Sequence, residues 1–397
     1  MTPVSAATSR NWVTLNADAL RANVCCFGAQ LNGAVMAVVK ADAYGHGAGV
    51  VSRICAEAGM THFAVATVTE AVELRAAVAD SCPDANLYLL SPFLEDEAET
   101  IAALNLIPML SSREQLSALQ QASLARKTTC RAFLMVDTGM GREGAIPEEA
   151  LGMWQQSHER PGVSLTGIAT HFSSADEPEG EPMTREQAHR LLEVAHICGD
   201  TSLTLSLHNS PATLLRSRLP DAVYGWKMLY RAGLLLYGIE PFRGAFAAMP
   251  GLLPVLEWHA RVTLVKSLPT GHTVGYGRTH TLIRPSTIAT VAVGYADGLD
   301  RRLSNRGTLL LQGKRFPIVG RVSMDQCQVD VTEAPLPVRV GDVATVVGTD
   351  GTETQTVLDL AEQAKTIPHT IPCALTRRVG RFLSQKEPDP LQPKRIE

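Results

Sequence analysis

The sequence predicts an α/β protein, a (β/α)8 barrel followed by a mainly antiparallel β domain, and three observations carry that reading. Between residue 34 and about residue 236, eight short apolar runs alternate with longer amphipathic ones, the rhythm of eight strand–helix units. No G-x-G-x-x-G follows the first of those runs, which counts against a doubly wound dinucleotide-binding sheet. Beyond "YGIEPFRGAFAAMPGLLP", a linker with Pro and Gly, the chain turns to β-branched residues and closely spaced turns.

Taken in order, "NWVTLNADAL" opens with a strand outside the barrel count, a candidate member of the later β domain. The eight barrel strands are then "GAVMAVVK", "HFAVAT", "NLYLLS", "LIPML", "RAFLMVD", "LTGIATHF", "LTLSLHN" and "LYRAGLLLYG". Stretches such as "AGVVSRICAEAG", "TEAVELRAAVAD", "SREQLSALQQASLA" and "TREQAHRLLEVAHIC" supply the helices between them. "HARVTLVKSL", "TIATVAVGY", "GTLLLQGKRFPIVGRV", "CQVDVT" and "GDVATVVGT" read as antiparallel strands, and "TVLDLAEQA" as one helix after them. The expected division is a barrel over residues 12–245, a β domain over 246–385 and a disordered tail over 386–397.

The 397 residues are 45% hydrophobic and 19% charged, an ordinary globular composition for two or three domains. A net charge of −4 gives no electrostatic reason to expect nucleic acid or an anionic membrane surface. No apolar run reaches the roughly 18–20 residues of a membrane span, and the start lacks the segments of a signal peptide. Eight scattered cysteines with no C-x-x-C pair fit a reducing cytoplasm, and the adjacent Cys25 and Cys26 read as buried thiols in a helix. No H-E-x-x-H or Cys/His cluster points to a metal.

In such a barrel the carboxyl ends of the strands converge on one mouth. Here they bring together Lys40, Thr67, Ser91, Asp137, His171, the triplet His208, Asn209 and Ser210, and Arg231 with Gly233. A lysine ending an apolar strand, in "AVVKADAYGHGAG", suggests carbonyl chemistry through a Schiff base. That base could form with the substrate itself or with pyridoxal phosphate. A phosphate needs backbone N–H groups and hydroxyls near the last strands, where Ser210, Gly233 and Leu234 lie, and Tyr44 can add its hydroxyl. This favours the cofactor.

The motifs "AVVKADAYGHGAG", "MVDTGMGREG", "GIATHFSSADE", "HNSPATL", "RAGLLLYGIEP", "VGYGRT", "VAVGYADGLDRRLSNRG" and "PIVGRVSMDQCQVDV", in this order from about residue 11 to about residue 380, resemble the alanine racemase family of fold-type III pyridoxal 5'-phosphate enzymes. The resemblance implies a racemase acting on alanine, a homodimer with shared active sites, in which Lys40 carries the cofactor and serves as acid/base on one face of the substrate. Tyr276 would be the opposite base, supplied by the partner subunit, with His171 bonded to it. Arg231 would face the pyridine nitrogen, supported by His208 and with Asn209 nearby, and Tyr44, Ser210, Gly233 and Leu234 would hold the phosphate. Arg142 would bind the substrate carboxylate and the cofactor's phenolic oxygen, and Met324 from the partner would offer its N–H to the same carboxylate, with Asp325 in support. Tyr295, Asp176, Arg301 and Arg321 would line the access corridor.

The chemistry accounts for these residue types. Racemisation removes a proton from one face of Cα and returns one to the other, which two bases on opposite sides achieve without turning the substrate. Lysine and tyrosine titrate near 10 when unperturbed, so each needs tuning to act at neutral pH, and a cationic His171 with nearby arginines would favour the phenolate. An arginine has only donors, so Arg231 would leave the pyridine nitrogen unprotonated and keep carbanion character at Cα.

Two positions depart from the family pattern. Met135 stands where the family usually has a lysine, commonly carbamylated, that orients the arginine, so an anion such as chloride, or Asp137 and its neighbours, would have to fix Arg142. His369 in "TIPHTI" stands in place of a tyrosine that touches the phosphate and narrows the pocket, which predicts weaker cofactor retention or tolerance of side chains larger than methyl. Alternative readings are a serine or broad-specificity racemase of the same fold, a decarboxylase of that fold, which Arg231 disfavours, and a non-catalytic pyridoxal-phosphate carrier, which would not need the β domain.

Overall fold

The structure, a computed structural model, describes residues 8–177, 179–219 and 226–384; the tail expected over 386–397 lies outside these residues. The first strand, β1 (Asn11–Leu15), precedes the barrel. Eight parallel strands then close on themselves: β2 (Ala34–Val38), β3 (His62–Val65), β4 (Asn86–Leu89), β5 (Ile107–Leu110), β6 (Cys130–Met135), β7 (Val163–Ala169), β8 (Thr204–Ser206) and β9 (Lys227–Ala232). Closure is made by β9 against β2, where Met36 stands opposite Arg231 and Ala37 opposite Ala232. The strands are short and almost wholly apolar because a parallel barrel is covered on both faces, by helices outside and by its own side chains within.

The last apolar run of the barrel is shorter as a strand than it reads. β9 stops at Ala232, and Leu234–Tyr237 forms a 3-10 turn. Gly233 breaks the strand at φ −92° and ψ −101°, and Ser210 Oγ accepts the N–H groups of Gly233 (3.0 Å) and Leu235 (3.4 Å) in place of a strand partner. An apolar run does not distinguish a buried strand from a buried turn. The fully buried Tyr237 then donates its hydroxyl to Val38 O at 2.8 Å, tying this turn to the end of β2.

Beyond the barrel, β10 (Leu256–Leu268) anchors a nine-stranded sheet. β1 joins it, pairing antiparallel with β10 and parallel with Gly380–Leu383, so the first and last described strands meet in one domain. The hairpin Thr308–Leu311/Lys314–Pro317 and the long strand Val343–Asp350 extend the sheet, and the helix Val357–Ala364 follows, started by a Thr356–Asp359 capping box. The linker is fastened by the buried amide of Asn23, which donates to Leu236 O (3.1 Å) and Leu253 O (2.8 Å) and accepts from Leu253 N (2.7 Å). The adjacent thiols differ from expectation. They lie on the helix Ala17–Gln30, but Cys25 is exposed and Cys26 half-buried, because the helix's core face is carried by Ala19, Leu20, Asn23 and Phe27. No helix among the described residues is long and apolar enough to cross a membrane.

Candidate active site

Lys40 does not end the strand. It starts a turn two residues after β2 in which Ala41, Asp42, Ala43 and Tyr44 all have φ between 52° and 54°, and Gly45 follows at 76°. Left-handed backbone at a residue with a Cβ costs roughly 1–2 kcal/mol, so a run of four needs outside support. The supports are specific. Glu70 Oε1 accepts Ala41 N–H (2.7 Å), Asp42 Oδ1 accepts Ala48 N–H (2.8 Å), and His46 Nδ1 donates to Ala43 O (3.0 Å) and Tyr44 O (2.9 Å). From the β domain, Arg381 Nε donates to Gly45 O at 2.8 Å. Gly45 is also required sterically, since a Cβ there would lie 2.0 Å from Pro372 O.

The turn delivers Lys40 into a cavity of about 780 Å³ at the carboxyl ends of the barrel strands. Tyr44, Arg142, His171, Asp176, Asn209, Ser210, Arg231, Gly233, Leu234 and His369 line it as well, so the mouth collects most of the sequence-predicted site. The Lys40 amine makes no hydrogen bond or ion pair among the described residues. Its pKa is lowered, first by burial and then by Arg142, with Glu143 and Glu70 opposing and Arg231 lowering it further. A buried, unpaired amine with a depressed pKa is a nucleophile and a base.

Beside it is a cradle. Ser210 Oγ faces the Gly233 and Leu235 amides, and a Cβ on Gly233 would lie 2.7 Å from Tyr44 Oη and 3.6 Å from Ser210 Oγ. Only glycine leaves this space open to an oxyanion. Burial raises the Tyr44 pKa, so its phenol stays a donor. The Ser210 hydroxyl, which accepts these amides and keeps its own proton to donate, and the Tyr44 phenol fit a phosphate, and the unpaired lysine fits an aldehyde carried on the same molecule.

Arg231 is fully enclosed. Nη1 donates to Ser206 O (2.6 Å) and Ser206 Oγ (2.8 Å), and Nη2 to Thr170 O (2.7 Å) and Leu207 O (3.3 Å). Burial brings its pKa down to about 10, still a cation at neutral pH. None of these bonds uses Nε–H, which remains a donor for a ligand in the mouth. Nη2 also lies 3.4 Å from His171 Nδ1, and Asn209 Nδ2 lies 3.4 Å from its Nε2; both neighbours are donors, so a neutral ring accepts from one of them and carries its proton on the other nitrogen. The expectation of a cationic His171 does not hold. Burial, Arg231, Arg142, Lys40 and His369 drive its pKa well below the ordinary imidazole value, so it is neutral.

Arg142 is fixed in a way the sequence did not reveal. Asp137 is committed to the loop backbone, accepting the amides of Gly139, Met140 and Gly141 at 2.9–3.1 Å, and Met135 beneath is buried and neutral. The partner of Arg142 is Glu143, with Nη2 and Oε1 2.5 Å apart. His208 is placed away from the cavity. Its ring packs against Tyr230 (5.0 Å) and Phe172 (6.5 Å), and it reaches Arg231 through the backbone, Arg231 N donating to His208 O at 2.9 Å. His369 lines the cavity with its ring 5.9 Å from that of Tyr44, and burial keeps it neutral despite Asp176 nearby.

The remaining predicted residues do not line this mouth. Tyr276, Tyr295, Arg301, Arg321, Met324 and Asp325 all lie on the β domain, with Tyr276 71% and Met324 52% exposed. They are held near one another. Tyr295 N and Ala296 N donate to Ser323 O and Met324 O, and Arg321 packs on Gly277 next to Tyr276. Asp325 pairs with Arg378 (2.8 Å), whose Nε also meets the buried Asp297 (3.2 Å). Arg378, like Glu143, was missed in the sequence because its partners lie far off in the chain or carry no periodic signal.

Comparison with known proteins agrees with this geometry. Residues 15–241 match the family model for the alanine racemase N-terminal domain and residues 255–383 that for the alanine racemase C-terminal domain. The chain is 40% identical over 378 residues to the alanine racemase of Symbiobacterium thermophilum, covering 94% of this chain and 96% of that protein. It is 38% identical over 352 residues to that of Halothermothrix orenii, covering 89% and 90%. Among solved structures, alanine racemase from E. faecalis superposes with a TM-score of 0.86 at 33% identity, over 96% of this chain and all of that one. The Bartonella henselae enzyme, solved with covalently bound pyridoxal phosphate, gives 0.83 at 27% identity over 95% and 100%. With barrel, β domain, lysine turn and cradle all in place, and with relatives matched over nearly their full length, the chain belongs to the alanine racemase family.

Proposed function

We propose that the protein is a pyridoxal-phosphate-dependent racemase that interconverts L- and D-alanine by proton exchange at Cα. The observation that carries this reading is the unpaired Lys40 amine set beside the Ser210–Gly233–Tyr44 cradle in one cavity. The donors there fit the cofactor found covalently bound in the Bartonella henselae relative. When bound, pyridoxal phosphate supplies an aldehyde to which amines attach and a ring that draws electrons from the adjacent Cα.

The protein's own residues do the rest. Lys40 would hold the cofactor's aldehyde carbon, and its amine would take or return a proton on one face of Cα, a task its lowered pKa suits. Ser210, Gly233, Leu234 and Tyr44 hold the phosphate. Arg231 presents Nε–H, a donor with no acceptor capacity, so it would leave a ring nitrogen placed against it unprotonated and would favour proton exchange at Cα over deeper electron withdrawal. Arg142 receives the substrate carboxylate.

The second base is Tyr276. Its exposure on the β domain, together with Tyr295, Arg321 and Met324, supports a homodimer in which this face closes the partner's mouth, Met324 adding its N–H to the substrate carboxylate and Asp325, Asp176 and Arg301 bordering the way in. His171, neutral, can then donate its single ring N–H to the tyrosine oxygen and stabilise its anion. All eight cysteines are free, which supports a reducing, cytoplasmic setting.

The test is incubation of the purified, yellow protein with L-alanine in D₂O. D-alanine and Cα-deuterated alanine should accumulate together. A preparation saturated with cofactor that produces neither would overturn the reading.

A further inference from the structure

We propose that Glu143 is a positioning residue: its carboxylate fixes the guanidinium of Arg142 so that the remaining N–H groups receive the carboxylate of an amino-acid substrate. The inference rests on the reading of this mouth as an amino-acid site and goes beyond it, because nothing in the sequence pattern assigns Glu143 a task.

The pair is asymmetric in a way that suits such a role. The Glu143 side chain is only 14% exposed and the Arg142 side chain 50% exposed, so the anion is anchored in the wall while the cation projects into the opening. A guanidinium has five N–H donors in a rigid plane. Glu143 takes one of them, on Nη2, at 2.5 Å, and no other bond to Arg142 is made among the described residues. Fixing one corner of a planar fork orients the rest without consuming it. An incoming carboxylate can therefore bind without displacing Glu143.

The other groups facing this point cannot do the same. Met135 is uncharged, and the Asp137 carboxylate is saturated by three loop amides. Lys40, Arg231 and the neutral His171 supply no anion. Asp176 lines the same cavity, but the group it acts on is His369. Glu70 is tied to the amides of Ala41, Ala66 and Thr67. Glu143 also acts on the lysine: it raises the Lys40 pKa against burial and Arg142, so its removal should lower that pKa further.

The opposite role, a latch that occupies Arg142 and must be broken by substrate, predicts the opposite sign, so one variant separates them. In the full-length holoenzyme, Glu143→Gln should raise KM for L-alanine about tenfold or more, the scale of one lost charge-assisted bond, while kcat changes by less than about threefold. Glu143→Asp, which keeps the charge, should recover most of the loss. Acetate, which offers a carboxylate and no amine, should perturb the absorbance of the bound cofactor with a Kd weakened in parallel, and Arg142→Gln should abolish that response. In apoenzyme, the pH profile for acylation of Lys40 by an amine-reactive reagent should move to lower pH in Glu143→Gln. An unchanged or lower KM and acetate Kd in Glu143→Gln would overturn the proposal, as would failure of Glu143→Asp to restore them. A wild-type protein that binds acetate at Arg142 and does not racemise alanine would instead overturn the proposed function and leave the role of Glu143 standing.

Discussion

Glu70 accepts the amide of Ala41 through Oε1 at 2.7 Å, while its Oε2 takes the amides of Ala66 at 2.8 Å and Thr67 at 3.2 Å. One carboxylate thus completes the capping box of the helix Val68–Ala77 and holds the first residue of the left-handed turn that carries Lys40. An amide cannot do both, because its NH₂ would face backbone donors. Glu70→Gln should destabilise the protein by about 1–3 kcal/mol and weaken cofactor retention, whereas Thr67→Ala should lose only the cap, about 1 kcal/mol, with retention intact. Urea unfolding of the apoenzyme and cofactor release from the holoenzyme check the two effects separately. Equal cofactor release in both variants would show that Glu70 does not support the lysine turn.

Among the described histidines, His46, His171 and His208 are pushed furthest toward the neutral form, and this fixes the sign of a pH dependence. Burial lowers the pKa of His46 to about 4 and of His208 to about 3, and His171 lies well below the ordinary value. Between about pH 6.5, where an exposed imidazole titrates, and about pH 4, the unfolded chain binds protons that the folded chain refuses. Stability therefore falls as pH drops through that window, by up to about 1.4 kcal/mol per pH unit for each such histidine. Urea midpoints at constant ionic strength from pH 7.5 to 5 should show the fall. In ¹⁵N-histidine spectra the same three rings should stay neutral at pH 5; a ring of His46 or His208 titrating near 6.5 contradicts the assignment.

The fold was legible because each barrel strand is a short apolar run bounded by polar turns, a pattern set by burial on both faces. What periodicity could not reveal were features decided by single contacts. "GLLLYG" reads as strand, yet Ser210 Oγ captures the Gly233 and Leu235 amides and bends it into a turn. Lys40 reads as a strand end, and its left-handed turn depends on His46, Glu70 and Arg381, the last of them far along the chain in the β domain. Among the site residues, the strand-end positions were readable from topology alone. Glu143 was not, since adjacent residues on one chain rarely face each other and only the shape of the "DTGMGREG" loop brings its carboxylate back onto Arg142.

His369 lines the cavity with its imidazole 5.9 Å from the Tyr44 ring, is kept neutral by burial and has no partner at Nδ1 among the described residues, so a longer phenol in its place is expected to narrow the pocket. His369→Tyr should raise the ratio of kcat/KM for alanine over serine by about threefold to tenfold, the scale of one small group gained or lost in a pocket wall. It should also slow cofactor release, measured by absorbance after dilution. An unchanged ratio would remove His369 from the determinants of specificity.

Tyr276 and Lys40 lie in different parts of one chain, the first exposed on the β domain and the second sunk in the barrel mouth, and a pair of inactive variants decides whether they meet across a dimer. Lys40→Ala and Tyr276→Phe chains should each be inactive alone. In a mixed dimer with shared sites, one site combines both substitutions and the other combines Lys40 from one chain with Tyr276 from its partner, so that site is intact. Mixing the two proteins under conditions that exchange subunits should then restore activity. Random pairing of equal amounts makes half the dimers mixed, each with one working site of two, so the recovered rate should approach about a quarter of wild type when the exchange is complete. If each chain instead used its own tyrosine, every site in every mixed dimer would still lack one base, and activity would stay at the level of the parents. Exchange is verified independently by a mass label on one chain, so an absence of recovery with exchanged subunits means that the tyrosine reaches the lysine of its own chain.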